Sequence, residues 1–414
     1  MPSVCFYFQV HQPYRIKHYP IFSIGEDHQY FNSTQDRLDN EMVLRKVLRK
    51  SYLPATQTIL KLLQDNPDFK ASFSFSGVVL DQFLAYAPEI IDLFRAAVHT
   101  GRVELLDETY YHSLAFLYSR DEFKRQVALH RAKIKELFDY EPRIFRNTEL
   151  SYNNEIGKLA EEMGYDAVLA EGVDWILGWR NPNFVYKVEG ADHIKLLLKN
   201  YRLSDDVAFR FSQRSWEGWP LTAEKFAHWI SSVNGNGETV NLFMDYETFG
   251  EHQWEDTGIF EFLRHLPEMI LRNPDNNFKT PSEVIDAYEP RGSIDFNYLS
   301  SWADIERDLS AWLGNTMQSK AMASVYALEQ PVLASGDKRL IADWRKLQTS
   351  DHFYYMSTKW FQDGDVHKYF NPYETPYDAF INYMNVLSDM EYRLSIEVPA
   401  EHALMPQWAP GSAV

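Results

Sequence analysis

The chain has 414 residues, 45% of them hydrophobic and 24% charged, with a formal net charge of −18, which is enough to bury a large core in two domains or in one domain with a companion. A pI of about 5.2 sets the chain against a phosphate backbone or an anionic lipid surface, so neither nucleic acid nor membrane is an expected partner. The single cysteine, Cys5, lies in an apolar run, which excludes a disulfide framework and a thiolate zinc cluster.

The N-terminal MPSVCFYFQV lacks the basic start and long apolar stretch of a secretory signal, and a cytoplasmic protein is expected. Aromatic residues make up 15% of the chain, with 11 Trp and 25 Tyr. Flat amphipathic rings of this kind suit a neutral, hydroxyl-rich ligand such as a sugar.

Residues 3–10 form a β-branched and aromatic run ending in His11-Gln12-Pro13, where proline stops a strand ladder. Residues 14–38 show no periodicity and read as a long loop. Apolar spacing predicts helix from about Asn40 to Gln64 with a break or restart at Pro54, then a strand from Phe69 to Phe75 and a helix over 80–98 closed by Gly101. Val103 to Leu106 is a short strand ending in Asp107-Glu108-Thr109-Tyr110-Tyr111-His112. The alternation continues with helix 120–138, strand Ile144 to Glu149, helix 153–163, strand 166–170 and a loop from Trp175 to Trp179. Strand 193–198, a loop over 202–213, helix 222–233 and strand 239–245 complete it. Seven strands separated mostly by helices imply a parallel sheet with right-handed crossovers, and a (β/α)7 barrel over residues 1–290 is the economical α/β closure. After about residue 290 the spans 302–330, 336–363 and 372–395 read as long helices, giving a C-terminal helical domain over 291–414. The oligomeric state is not legible.

In a parallel barrel the polar clusters at the strand ends converge on one rim. Here these are His11, Glu108 with His112, Glu149, and Asp245 with Glu247. Strand alternation puts Asp245 and Glu247 on one face and Tyr246 on the other, although an isolated Asp-x-Glu also suits a solvated loop. Two carboxylates on different strands facing one another suit glycoside hydrolysis, and Glu149 with Asp245 is the expected pair.

Five ordered motifs now stand out: HQP at 11–13, GRVELL at 101–106, FRNTELSYNN at 145–154, MDYETFGEH at 244–252 and LQTSDHFYYM at 347–356. In them the chain resembles glycoside hydrolase family 57, whose members act on α-glucans. Asn147 and Thr148 stand where many members have Trp and a small residue before the glutamate. The run holding Asn200, Arg202, Asp205 and Asp206 is similar to the amylase-type branch.

The resemblance implies a seven-stranded barrel followed by helices, with Glu149 as nucleophile and Asp245 as acid/base in a retaining double displacement. A spacing of roughly 5 to 5.5 Å between the two carboxyls is then expected, and roughly 9 Å would favour inversion. His11 and Gln12 would contact the sugar in the cleaving subsite, with Asp351 reaching in from the helical domain. Glu108, His112, Arg202, Asp205 and His252 are further expected substrate contacts, and Glu247 is the rival acid. Trp175, Trp216 and Trp302, with Trp219 and Trp254, are candidate platforms for glucose rings.

The substrate would be starch, glycogen or maltooligosaccharide, cleaved by an α-amylase-like hydrolase with no cofactor and no metal. The alternative is a 4-α-glucanotransferase or branching enzyme using the same pair. A metal-dependent polysaccharide deacetylase would want a paired His-x-x-x-His, which is not evident, and an inactive glycan-binding protein is the reading outside enzymes.

Overall fold

The computed structural model describes residues 2–35, 37–359 and 371–397. The described strands are β1 (Ser3–Val10), β2 (Ala71–Phe75), β3 (Val103–Leu105), β4 (Ile144–Arg146), β5 (Ala167–Glu171), β6 (Tyr186–Val188), β7 (Lys195–Lys199), β8 (Thr239–Asp245), β9 (Asn277–Phe278) and β10 (Ser293–Ile294). Seven of them fall on the expected apolar runs. The other three, β6, β9 and β10, fall outside the expected runs, and β9 and β10 hold only two residues each. One sheet has the order β3-β2-β1-β8 with β9 also paired to β1, and the second has the order β10-β6-β7-β5-β4. All pairings are parallel except that of β6 with β7.

Alternation sorts the side chains. In β1, Val4, Phe6, Phe8 and Val10 join a core with the surrounding helices, as do Val240, Leu242 and Met244 of β8. Val168 and Ala170 of β5 and Leu196 and Leu198 of β7 join a second core with the C-terminal helices. The opposite faces meet in a third cluster, in which Cys5, Tyr7, Ile144, Leu169, Leu197 and Phe243 bring both sheets together. Continuing each inward row by two residues reaches Gln9 and His11, Arg146, Glu171, Lys199 and Asp245, which is why the polar groups gather at one end.

Edge strand β3 is prolonged by a parallel bridge from Asp107 to Phe145 beside β4. The residue after β7 donates from Asn200 N to Asn241 O of β8 at 2.9 Å, and Asn241 Nδ2 donates back to Leu198 O at 2.8 Å.

Three helical expectations change. The helix expected over 80–98 is two, Gly77–Tyr86 and Pro88–Val98, because Pro88 opens a new first turn. The loop expected over 202–213 contains a helix, Tyr201–Ala208, capped by the Asn200 side chain accepting from Leu203 N. Pro54 ends nothing: Asn40–Val47 passes through a π segment, Leu48–Tyr52, into Leu53–Asp65.

Pro54 has no N–H to give the Lys50 carbonyl four residues earlier, and that carbonyl abuts Gly250. Gly250 has φ +112°, and a Cβ there would lie 1.9 Å from Lys50 O. Gly250→Ala is therefore expected to lower stability by about 2 kcal/mol or more, read as a lower denaturant midpoint at unchanged slope.

Beyond β10 the described elements are helices: Ser310–Leu313, Thr316–Ala327, Glu329–Ser335, Lys338–Lys346, Ser350–Tyr354 and Pro376–Glu397. They are shorter than the three expected spans. Residues 302–309 are an irregular strap, Gly336 at φ 67° closes the helix before it, and 360–363 lie outside the described residues. Among the described residues no helix is long and apolar enough to cross a membrane.

Candidate active site

The C-terminal ends of β1, β7 and β8 and the turn after β4 open on a cavity of about 450 Å³. Ten of the expected site residues line it: His11, Gln12, His112, Glu149, Asp205, Asp245, Glu247, His252, Trp302 and Asp351. Glu108 stands behind His112, fully buried.

Glu149 follows β4 on a one-turn 3-10 segment, with left-handed φ 59° and ψ 26°. Leu150 and His112 also have positive φ, and non-glycine residues hold such angles only where their surroundings impose them. The Glu149 backbone carbonyl accepts from Ser301 Oγ at 2.9 Å. Its Oε1 accepts from Ser350 Oγ at 3.0 Å and lies 3.3 Å from His112 Nε2, while its Oε2 accepts from Trp302 Nε1 at 2.9 Å. Burial disfavours the Glu149 charge, but the hydrogen bond and charge of His112, with the charge of Arg146, outweigh it and hold the pKa below the usual carboxylate range.

Asp245 behaves oppositely. Burial, and then the negative charge of Glu149, push its pKa up to about 6. Glu247 goes higher, to about 8, through burial and the charge of Asp245. It accepts from the Tyr52 hydroxyl and from His11 N at 3.4 Å. β8 ends at Asp245, which strand alternation carries to the cavity, whereas Glu247 sits on the 3-10 turn that follows and reaches it by turn geometry.

His11 Nδ1 meets Ser76 Oγ at 2.6 Å and its Nε2 meets Asp351 Oδ2 at 2.8 Å. Its ring stacks on His112, centroids 3.9 Å apart at 19°. Burial and the His112 charge lower the His11 pKa. For Asp351, burial is outweighed by His11, which keeps that carboxylate ionised.

Five groups at the site escaped the sequence. Arg146 is fully buried, 4.9 Å over the Trp302 ring and 3.4 Å from Glu108. Lys199 reaches Glu171 at 3.3 Å and Asp205 at 3.0 Å, and Arg307 reaches the same two carboxylates at 3.2 and 2.7 Å. Two cations and two anions thus fasten the 302–309 strap, and with it Trp302, over the cavity. Glu171 and Lys199 could have been found by the strand-end rule that gave His11; Arg307 and Ser350 have no such signal.

Three expected contacts lie elsewhere. Trp175 is exposed and edge-on to Tyr298 at 6.2 Å. Arg202 pairs with Asp174 on the surface at 3.1 Å. Trp216 packs against Trp229 at 5.9 Å, beside the first core. Trp219 and Trp254 are each about half exposed and off the cavity, Trp254 beneath the Lys50 ammonium. Among the described residues no three of His, Cys, Asp and Glu are placed to hold a metal ion.

Comparison with known proteins gives this geometry a context. A protein of Methanocaldococcus jannaschii carrying the provisional name alpha-amylase is 43% identical over 401 residues, covering 94% of this chain and 84% of its own. The branching enzyme of Pyrococcus horikoshii superposes with a TM-score of 0.66 at 16% identity over 89% of this chain and 87% of its own. The 4-alpha-glucanotransferase of Thermococcus litoralis does so with a TM-score of 0.62 at 18% identity over 85% of this chain, which spans 56% of that longer protein. The profile of glycosyl hydrolase family 57 matches residues 5–297, well over half of the chain, and the chain belongs to that family.

Proposed function

We propose that the chain is a retaining, α-amylase-like hydrolase of α-1,4-glucosidic bonds in starch- or glycogen-type glucans and maltooligosaccharides. The observation that carries this reading is the placing of Glu149 and Asp245 on one cavity, in surroundings that push their pKa values in opposite directions, Glu149 down and Asp245 up to about 6. The Asp245 proton passes to the glycosidic oxygen as that bond breaks, and a Glu149 carboxylate oxygen bonds to the anomeric carbon. Water then attacks the same carbon, giving a proton to Asp245 and releasing Glu149 as carboxylate. His11, Gln12, Asp351 and the Trp302 ring are taken as the groups that hold the sugar.

We further infer that β1, β2, β3, β4, β5, β7 and β8 close as a (β/α)7 barrel. The bonds joining β3 to β4 and β7 to β8, and the cluster shared by both sheets, support it. The division near residue 290 into this unit and a helical C-terminal unit belongs to the same proposal.

The test is incubation with maltoheptaose, with and without chelator, with products resolved by chain length and anomeric form by NMR. Shorter products only, released as the α-anomer and insensitive to chelator, are expected. Products both longer and shorter than the donor would replace hydrolysis by glycosyl transfer, the chemistry named for the two solved relatives. Release of the β-anomer would overturn retention.

A further inference from the structure

His112 stands between two carboxylates, its Nδ1 3.1 Å from Glu108 Oε2 and its Nε2 3.3 Å from Glu149 Oε1. A neutral imidazole has one N–H and one lone pair, whereas an ionised carboxylate only accepts. The other neighbours fix which groups carry protons. Glu108 takes Gln9 Nε2 at 3.0 Å on one oxygen and Arg146 Nη1 at 3.4 Å on the other. Glu149 takes Ser350 Oγ and the indole N–H of Trp302. Both carboxylates are ringed by donors, so the ring between them donates from both nitrogens.

We propose that Glu108, His112 and Glu149 form a carboxylate–imidazolium–carboxylate relay, in which the buried Glu108 and His112 are positioning residues that keep the nucleophile ionised and aimed. The proposal rests on the assignment of Glu149 as nucleophile. It moves Glu108 and His112 from the expected sugar contacts to a place behind the reacting carboxylate.

Other charged and titratable groups face the ring. His11 lies against one face, with Asp351 bonded to its far side, Arg146 stands behind Glu108, and Asp245 lines the same cavity. Ser350 N donates to His112 O at 2.9 Å, so the segment that gives its hydroxyl to Glu149 also fixes the backbone of the relay. When Glu149 becomes an ester its charge vanishes and His112 keeps Glu108 alone. When water breaks that ester, the departing carboxylate re-forms against a cation already in place.

The test has two arms. In the first, kcat/KM is followed against pH for the unmodified chain, His112→Gln and Glu108→Gln. Gln at 112 offers an N–H without charge, and Gln at 108 leaves His112 one carboxylate only. His112→Gln should move the acidic limb upward by about 1 pH unit and lower kcat about 10- to 100-fold. Glu108→Gln leaves His112 cationic in acid, so it should lower kcat without moving that limb upward and should lower the pKa of the His112 ring. In His112→Gln, an acidic limb that stays in place, with kcat/KM reduced equally at all pH values, would reduce the pair to packing and overturn the proposal.

In the second arm, nitrogen NMR of the labelled His112 ring at neutral pH should show both nitrogens protonated, in keeping with a pKa raised to about 9 by the two carboxylates against the effect of burial. A single neutral tautomer would overturn the relay without any measure of activity. Full turnover in Glu149→Ala would instead remove the nucleophile assignment while leaving the state of the ring to be judged by NMR.

Discussion

Glu149→Ala is expected to lower kcat/KM on maltoheptaose by about 10⁴-fold or more, since loss of a covalent nucleophile removes the pathway and not merely a contact. Azide, an anion small enough for the space left by the carboxylate, should restore part of the turnover and yield a glycosyl azide of inverted configuration. Alanine at φ 59° also carries backbone strain. Glu149→Gln is therefore the companion variant, and circular dichroism of both should match that of the unmodified chain. Undiminished turnover in both variants would remove Glu149 from the chemistry.

Asp245→Ala is expected to cost about 10²- to 10⁴-fold, the range for a lost general acid and base, and less on substrates whose leaving group needs no proton. The pH profile tests the same assignment. The pKa of Asp245 is raised to about 6, so its acid proton is present below that value and activity falls as pH rises through it. The pKa of Glu149 is depressed, so the acidic limb lies below the ordinary carboxylate range and activity falls as pH drops through it. In Asp245→Ala the limb near 6 should vanish. Glu247, protonated up to about 8 and tied to Tyr52, should keep that limb when replaced by Gln. Full activity in Asp245→Ala, with loss in Glu247→Gln, would exchange the two roles.

Much of this centre can be read in the sequence because of where strands stop. An apolar run fixes a strand, the strand fixes which side chains point inward, and the first polar residue past the run lands on the rim; His11 and Asp245 both follow from this. Glu149 follows less directly, since β4 ends at Arg146 and a left-handed turn carries the carboxylate the remaining distance. Arg146 ends β4, so the same rule reaches it, but its residue type names no role there, and only the folded chain shows it buried against Glu108 and Trp302.

The helix at 201–208 was hidden by Ser204, Asp205 and Asp206, which favour loops locally but here face inward under the cap of Asn200. Trp175 and Trp216 show the opposite failure. Their type suits sugar stacking, but neither the exposed surface helix nor the packing against Trp229 brings them to the cavity. The partnership of Arg307 with Glu171 and Asp205 spans more than a hundred residues of chain, and no local rule reaches that far.

The family profile ends at residue 297, yet three side chains that bond the working groups come later: Trp302 and Ser350 on Glu149, and Asp351 on His11. On the proposed roles, the strand-bearing part supplies Glu149, Asp245 and the His112 and Arg146 charges that lower the Glu149 pKa, and the later segments add two hydrogen bonds to Glu149. The two halves are thus not interchangeable parts. Grafting the helices of a relative onto these sheets would import that relative's hydrogen bonds to Glu149, and with them the direction in which that carboxylate is held.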